Sequence, residues 1–150
     1  MNKNDKQEIL AVIGRYLRDP QVQEMKTFIQ HGNVSTYLHV VNVVKLSYIL
    51  DRRLGSKSDP EVLLTAALLH DFYGYDWHEK PWSDLHGYRH PHRAAVNAGE
   101  VFGVGEDVQA AIETHMWPFT LFKVPRSREA WLVCMADKLA SLSETLWMRR

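Results

Sequence analysis

The segment Val62-Leu63-Leu64-Thr65-Ala66-Ala67-Leu68-Leu69 is apolar almost without a break and ends on His70-Asp71. Asp59-Pro60 ahead of it supplies an N-cap followed by a proline at the first helical position, which predicts a helix from there to about Phe72. A helix this apolar belongs in a core. On it His70 shares a face with Leu63, Ala66 and Ala67, and the alanines leave room beside the imidazole. An adjacent His-Asp pair at a helix end can set one nitrogen and one oxygen ligand on the same ion. The plainer alternative is a core histidine capped by its neighbouring carboxylate.

The rest of the chain reads mostly as helix. Its 150 residues suit one domain, long enough to bury a substantial core. Ile9, Leu10, Ile13 and Leu17 recur at helical spacing over 5–18, Asp19-Pro20 ends that run, and a second short helix is expected over 21–30. After the turn signal His31-Gly32-Asn33, either Ser35 or Asn33 can cap a long helix to Leu54 that Gly55 stops. Residues 73–89, rich in aromatics with two glycines and a proline, show no period and read as a functional loop. Further helices are expected at 90–102, 106–116 and 127–148. Strand signals are weak, since Val40–Val44 lies inside a run too long for a strand. The expected fold is all-α, a bundle of six or seven helices that includes N-terminal helices over 5–30.

Three more titratable side chains fall on apolar faces. His39 shares its face with Asn42, Val43 and Leu46; His115 with Val108, Ala111 and Ile112; Asp137 with Ala130, Val133, Cys134 and Ala140. A buried carboxylate must be paired, neutralised or bound to a metal, and Lys138 points elsewhere on the helix. Four such clusters on the inward sides of four helices favour a metal site over four independently satisfied core groups. The donor mixture suits iron, manganese, zinc or similar divalent ions.

The order His39 … His70-Asp71 … Asp137 resembles the HD-domain superfamily. The stretch "TAALLHDFYGYDW" is similar to its central helix and "AWLVCMADKLASLSE" to its final one, and the resemblance covers about residues 33–146. It implies an all-α fold in which His39, His70, Asp71 and Asp137 bind one metal. Some subgroups add two histidines, with Asp71 bridging two ions. "HPHRAA" resembles the His-Pro helix start of the HD-GYP subgroup, which maps a ligand onto His90, and "ETHMWP" resembles the next histidine, His115. His92 and His86 are alternatives to His90. The Ile-Gly-Lys that often follows the His-Asp pair is replaced by Phe72-Tyr73-Gly74, and the Gly-Tyr-Pro motif is missing. "LHGYRHP" and "HMWPFT" resemble a subgroup of small bacterial HD proteins from which no substrate carries over.

The implied activity is phosphohydrolysis of a nucleotide or another small phosphate ester, using water activated by one or two divalent ions: iron, manganese, zinc, nickel or magnesium. Asp71 is the expected catalytic ligand. Lys138 is expected to contact a phosphate or to pair with Glu144 or Asp71. His86, His92, Arg89 and Trp117 are candidate substrate contacts. Tyr73, Tyr75, Trp77, Trp82 and Tyr88 could stack on a base, although packing a lid or core is commoner. Arg93, Lys123, Arg126 and Arg128 could hold a phosphate, with solvated surface as the alternative. Glu79 and Glu113 are candidate bases. A diiron oxygenase using the same six ligands and a metal-bound sensor without turnover are the rival readings.

Composition limits the partners. Lys plus Arg and Asp plus Glu are 18 each, which leaves no electrostatic footprint for nucleic acid or an acidic membrane surface. The lone Cys134 permits no intrachain disulfide, the run Ile9–Leu17, broken by Gly14 and Arg15, lacks the profile of a signal peptide, and no stretch approaches about 18 apolar residues, so a cytoplasmic location is expected. Exposed apolar positions on the first helix would suit a homodimer.

Overall fold

A computed structural model describes residues 1–31, 33–74 and 86–147, with the side chains of His31, His86 and Trp147 outside that description. Among these residues seven α-helices and one two-stranded ribbon follow the order α1 (Lys3–Leu17), α2 (Pro20–Glu24), β1 (Ile29–His31), β2 (Val34–Ser35), α3 (Thr36–Arg53), α4 (Pro60–Leu69), α5 (His86–Phe102), α6 (Glu106–Glu113) and α7 (Arg128–Trp147). The all-α reading holds. No described helix is long and apolar enough to cross a membrane.

The helix starts follow local chemistry. Asn2 and Asp5 exchange side-chain and backbone bonds in a capping box at α1. Ser35, not Asn33, caps α3 by accepting from the Leu38 amide at 3.2 Å. Asp59 accepts from the Glu61 and Val62 amides ahead of α4. After α3 the chain turns at Gly55, whose φ of 100° is a left-handed conformation that favours glycine.

α4 is the central rod. Leu63 through Leu69 are all buried, and α4 packs against α1, α3, α6 and α7. Ile9, Ile13 and Tyr16 of α1, Val40, Val43 and Val44 of α3, and Ala130, Val133, Ala136 and Ala140 of α7 complete one continuous core. At the far end of α3, Asp51 accepts from Ser58 at 2.7 Å and from the Arg128 guanidinium at 3.1 Å, tying the start of α7 to the α3–α4 turn.

Four expected boundaries move. The helix expected over 21–30 ends at Glu24, because Met25, Lys26 and Thr27 reach back only three residues and Phe28 then pairs through its carbonyl with the Thr36 amide. The ribbon pairs Ile29 with Ser35 and His31 with Val34, so its register slips and Gln30 is the extra residue. α5 begins at His86 rather than His90 and carries Pro91 inside, where it forgoes one backbone bond. α4 and α6 stop short of Phe72 and residue 116, at Leu69 and Glu113, for a reason that belongs to the site. Residues 75–85 of the expected loop lie outside the described residues.

Candidate metal centre

Five elements deliver six side chains to one buried point. α3 supplies His39, the C-terminal end of α4 supplies His70 and Asp71, α5 supplies His90, the turn after α6 supplies His115, and α7 supplies Asp137. All six are buried.

Asp71 stands in the middle. Its Oδ2 lies 3.4 Å from His70 Nε2 and 3.8 Å from His39 Nε2. Its Oδ1 lies 3.3 Å from His90 Nε2 and 3.6 Å from His115 Nε2. On the first side Asp137 Oδ1 is 3.1 Å from His39 Nε2 and 3.7 Å from His70 Nε2. On the second side the Nε2 atoms of His90 and His115 are 3.0 Å apart. His39, His70 and Asp137 offer ligand atoms all within 4.8 Å of one another, and so do His70, Asp71 and His115.

The local folding of the chain aims these nitrogens. His70 and His115 sit just beyond helix C-termini, where backbone carbonyls lack partners. His70 Nδ1 donates to the Ala67 carbonyl at 2.9 Å and His115 Nδ1 to the Ile112 carbonyl at 2.7 Å. Each histidine therefore takes over a bond that the next helical turn would have made, and α4 and α6 end where they do. His39 Nδ1 donates to Glu144 Oε2 at 2.9 Å, and Asn42 Nδ2 holds the other oxygen of Glu144 at 2.9 Å. With Nδ1 committed as donor, Nε2 of each ring is the atom left to act as ligand.

The electrostatics fit a cation. Burial opposes the charge on Asp71, yet His70 beside it holds its carboxyl far below the usual range. Burial likewise opposes the charge on Asp137, and the bond from His39 pulls its carboxyl down. Burial would lower His39, but its bonds to Asp137 and Glu144 lift it to about 10. His115 goes the other way: burial, then the neighbouring His70 and His90, push it down to about 3. Two buried anions thus rely on histidine protons for compensation. His70 Nε2 and Asp71 Oδ1 are buried without a well-formed hydrogen bond. Orphaned ligand atoms that converge on one point are what a bound ion would satisfy, so the residues fit a metal.

The other candidates separate. The His92 ring is exposed and turned to Glu113 at 3.0 Å, away from the cluster that buries His90. Lys138 turns from the Glu144 and Asp71 pairings that were alternatives for it: its ammonium donates to the His115 carbonyl at 2.8 Å and to the Cys134 carbonyl at 3.3 Å. Of the expected phosphate cations, Arg128 binds Asp51 and Lys123 binds Glu113 at 2.7 Å. Glu113, drawn down chiefly by its bond from Lys123, is poorly placed as a base. Tyr73 is buried, edge-on to the His90 ring at 5.7 Å, and packs rather than offering a stacking surface. Trp117 is half-buried against Trp131, Tyr88 rests on Phe119, and Arg89 is exposed. The His86 side chain and Tyr75, Trp77, Glu79 and Trp82 lie outside the described residues.

Two contributors escape the sequence reading. Glu144 lies seven residues after Asp137, two turns on along the same face of α7, a spacing that could have revealed it. Gln30 has no such signal, because its segment reads as helix.

A family model described as "HD domain" matches residues 36–142. No curated protein and no solved structure matches the chain.

Proposed function

The chain belongs to the HD-domain family, a superfamily of metal-dependent phosphohydrolases, and from that premise we propose that it hydrolyses a nucleotide or another small phosphate ester at the six-residue cluster. His39, His70, Asp71 and Asp137 would hold one ion; His90 and His115, with the other oxygen of Asp71, would hold a second. Such an ion supplies Lewis acidity, polarising a phosphoryl oxygen and making a bound water acidic enough to deprotonate near neutral pH.

The protein's own groups do the rest. Ionised Asp71, whose Oδ1 is buried without a well-formed hydrogen bond, would help orient the attacking water. Arg89, exposed on α5 next to buried His90, would meet the negative charge of a phosphate; His92, paired with Glu113, would have to turn from it to do the same. Trp117, half-buried two residues after His115, would offer an apolar wall. Water attacks phosphorus in line with the leaving oxygen, the phosphorus–oxygen bond to that group breaks, and phosphate and an alcohol are released.

The observation that carries this reading is the division of Asp71: one oxygen faces His39 and His70, the other His90 and His115. The test is elemental analysis of protein prepared without chelator, wild type beside Asp71→Ala, followed by phosphate release from a panel of phosphate esters with iron, manganese, zinc, nickel or magnesium. Two equivalents of metal in the wild type, lost in the variant, together with turnover, support the reading. Loaded protein that hydrolyses nothing across the panel overturns it. The nitrogen-rich set of four histidines also suits iron, which favours an oxygenase as the second reading; oxygen consumption by iron-loaded protein separates the two.

A further inference from the structure

Gln30 is buried at the centre of a small polar network on the edge of the metal cluster. Its Nε2 donates to Asp71 Oδ2 at 2.6 Å. Its Oε1 accepts from the Tyr73 hydroxyl at 2.7 Å and from Thr36 Oγ1 at 3.2 Å. The network admits one orientation of the amide. Ionised Asp71 only accepts, so it must face the NH2 group, while two hydroxyl donors occupy the carbonyl side.

The backbone arrangement points the same way. Gln30 is the extra residue where the β1–β2 register slips, and a bulge of this kind re-aims a side chain. It also lies ahead of residues 36–142, which the family match covers. Asp71 needs such a partner. Its carboxylate must keep one oxygen toward His39 and His70 and the other toward His90 and His115, and rotation about the side chain would disturb both sets at once. A charge-assisted bond to a single oxygen, from an amide itself held by two hydroxyls, opposes that rotation.

Building on the proposed two-ion site, we infer that Gln30, held by Tyr73 and Thr36, is a positioning residue that fixes the carboxylate plane of Asp71 for metal binding. Hydrogen-bond partners of metal ligands typically contribute about 10- to 100-fold to affinity. This role requires no contact between Gln30 and the ion.

The probe is Co(II), titrated into chelator-treated protein and followed by its visible absorption, which reports ligand geometry as well as occupancy. Gln30→Leu should weaken Co(II) binding about 10- to 100-fold and alter the band shape. Tyr73→Phe, which removes one oxygen and no carbon, should weaken it in the same sense by a smaller factor. The double variant should be no weaker than Gln30→Leu alone, because Tyr73 acts through Gln30. A purely structural role would lower the melting temperature of the metal-free protein without this coupling. Wild-type affinity and band shape in Tyr73→Phe and Gln30→Leu, or fully additive losses in the double variant, overturn the inference while leaving the metal site intact. If Gln30→Leu fails to fold, Tyr73→Phe decides alone, and an unchanged titration overturns the inference. A wild type that takes up no Co(II) overturns the site reading itself and this inference with it.

Discussion

At the scale of single residues, the distinction between ligand and bystander rests on where each imidazole spends its Nδ1 proton. His39, His70 and His115 each donate it to a carboxylate or carbonyl of the protein. A proton on His39 Nε2 then satisfies Asp137 in the absence of metal. Because His39 is raised to about 10, it carries that proton at pH 7, and an incoming ion must displace it. Burial would lower His70, on the same ion, but the neighbouring Asp71 raises it as well, so metal binding at pH 7 should release at least one proton at this ion. Calorimetry in two buffers of different ionisation heat measures this number, and no difference between the buffers would refute the assignment. The two histidines of the "HPHR" stretch should also part company. His90→Ala should reduce bound metal in elemental analysis, whereas His92→Ala should retain it, since the His92 ring faces Glu113.

At the scale of elements, the site depends on where helices stop. α4 presents Leu63 through Leu69 to the core and ends as His70 takes the Ala67 carbonyl; α6 ends likewise as His115 takes that of Ile112. A continued helix would carry both rings along its own spiral instead of releasing them to meet Asp71. The start of α4 is set by Asp59, which caps two amides. Asp59→Ala should lower stability by about 1 kcal/mol, read as a shift in urea midpoint with an unchanged slope. Metal content should be retained, because the cap is at the opposite end of α4 from His70.

At the scale of the whole molecule, the metal-free protein holds groups whose pKa values differ from those of the unfolded chain, so its stability depends on pH in two directions. His115 is depressed to about 3. Between about 3 and its ordinary value of about 6.5 the unfolded chain binds more protons than the folded one, and stability falls as pH drops through that window. Asp71 and Asp137, held below their usual range, add a further loss once pH falls below about 4. His39 is raised to about 10, so its contribution is complete below about 6.5 and is lost as pH rises through about 10. Chelator-treated protein should thus be most stable near pH 6–7 by chemical unfolding, and a monotonic profile from pH 4 to 10 would contradict these environments.

Local pattern by itself determined much of this protein. Apolar periodicity, the Asp59-Pro60 start and the Gly55 stop specify an all-helical chain, and a histidine or carboxylate on an apolar face marks His39, His70, His115 and Asp137 as inward. Those signals lie within a few residues of one another, where helix geometry alone relates them. Tertiary structure decided what spans greater distances. It divided Asp71 between two histidine pairs, chose His90 over His92 to face Asp71, sent Lys138 to the His115 carbonyl and brought Glu144 to His39 across 105 positions. It also placed Gln30, 41 positions from Asp71, in a bulged ribbon where local propensity predicts helix. Cross-strand pairing and helix packing are non-local contacts, and their outcome is set only when the whole core closes.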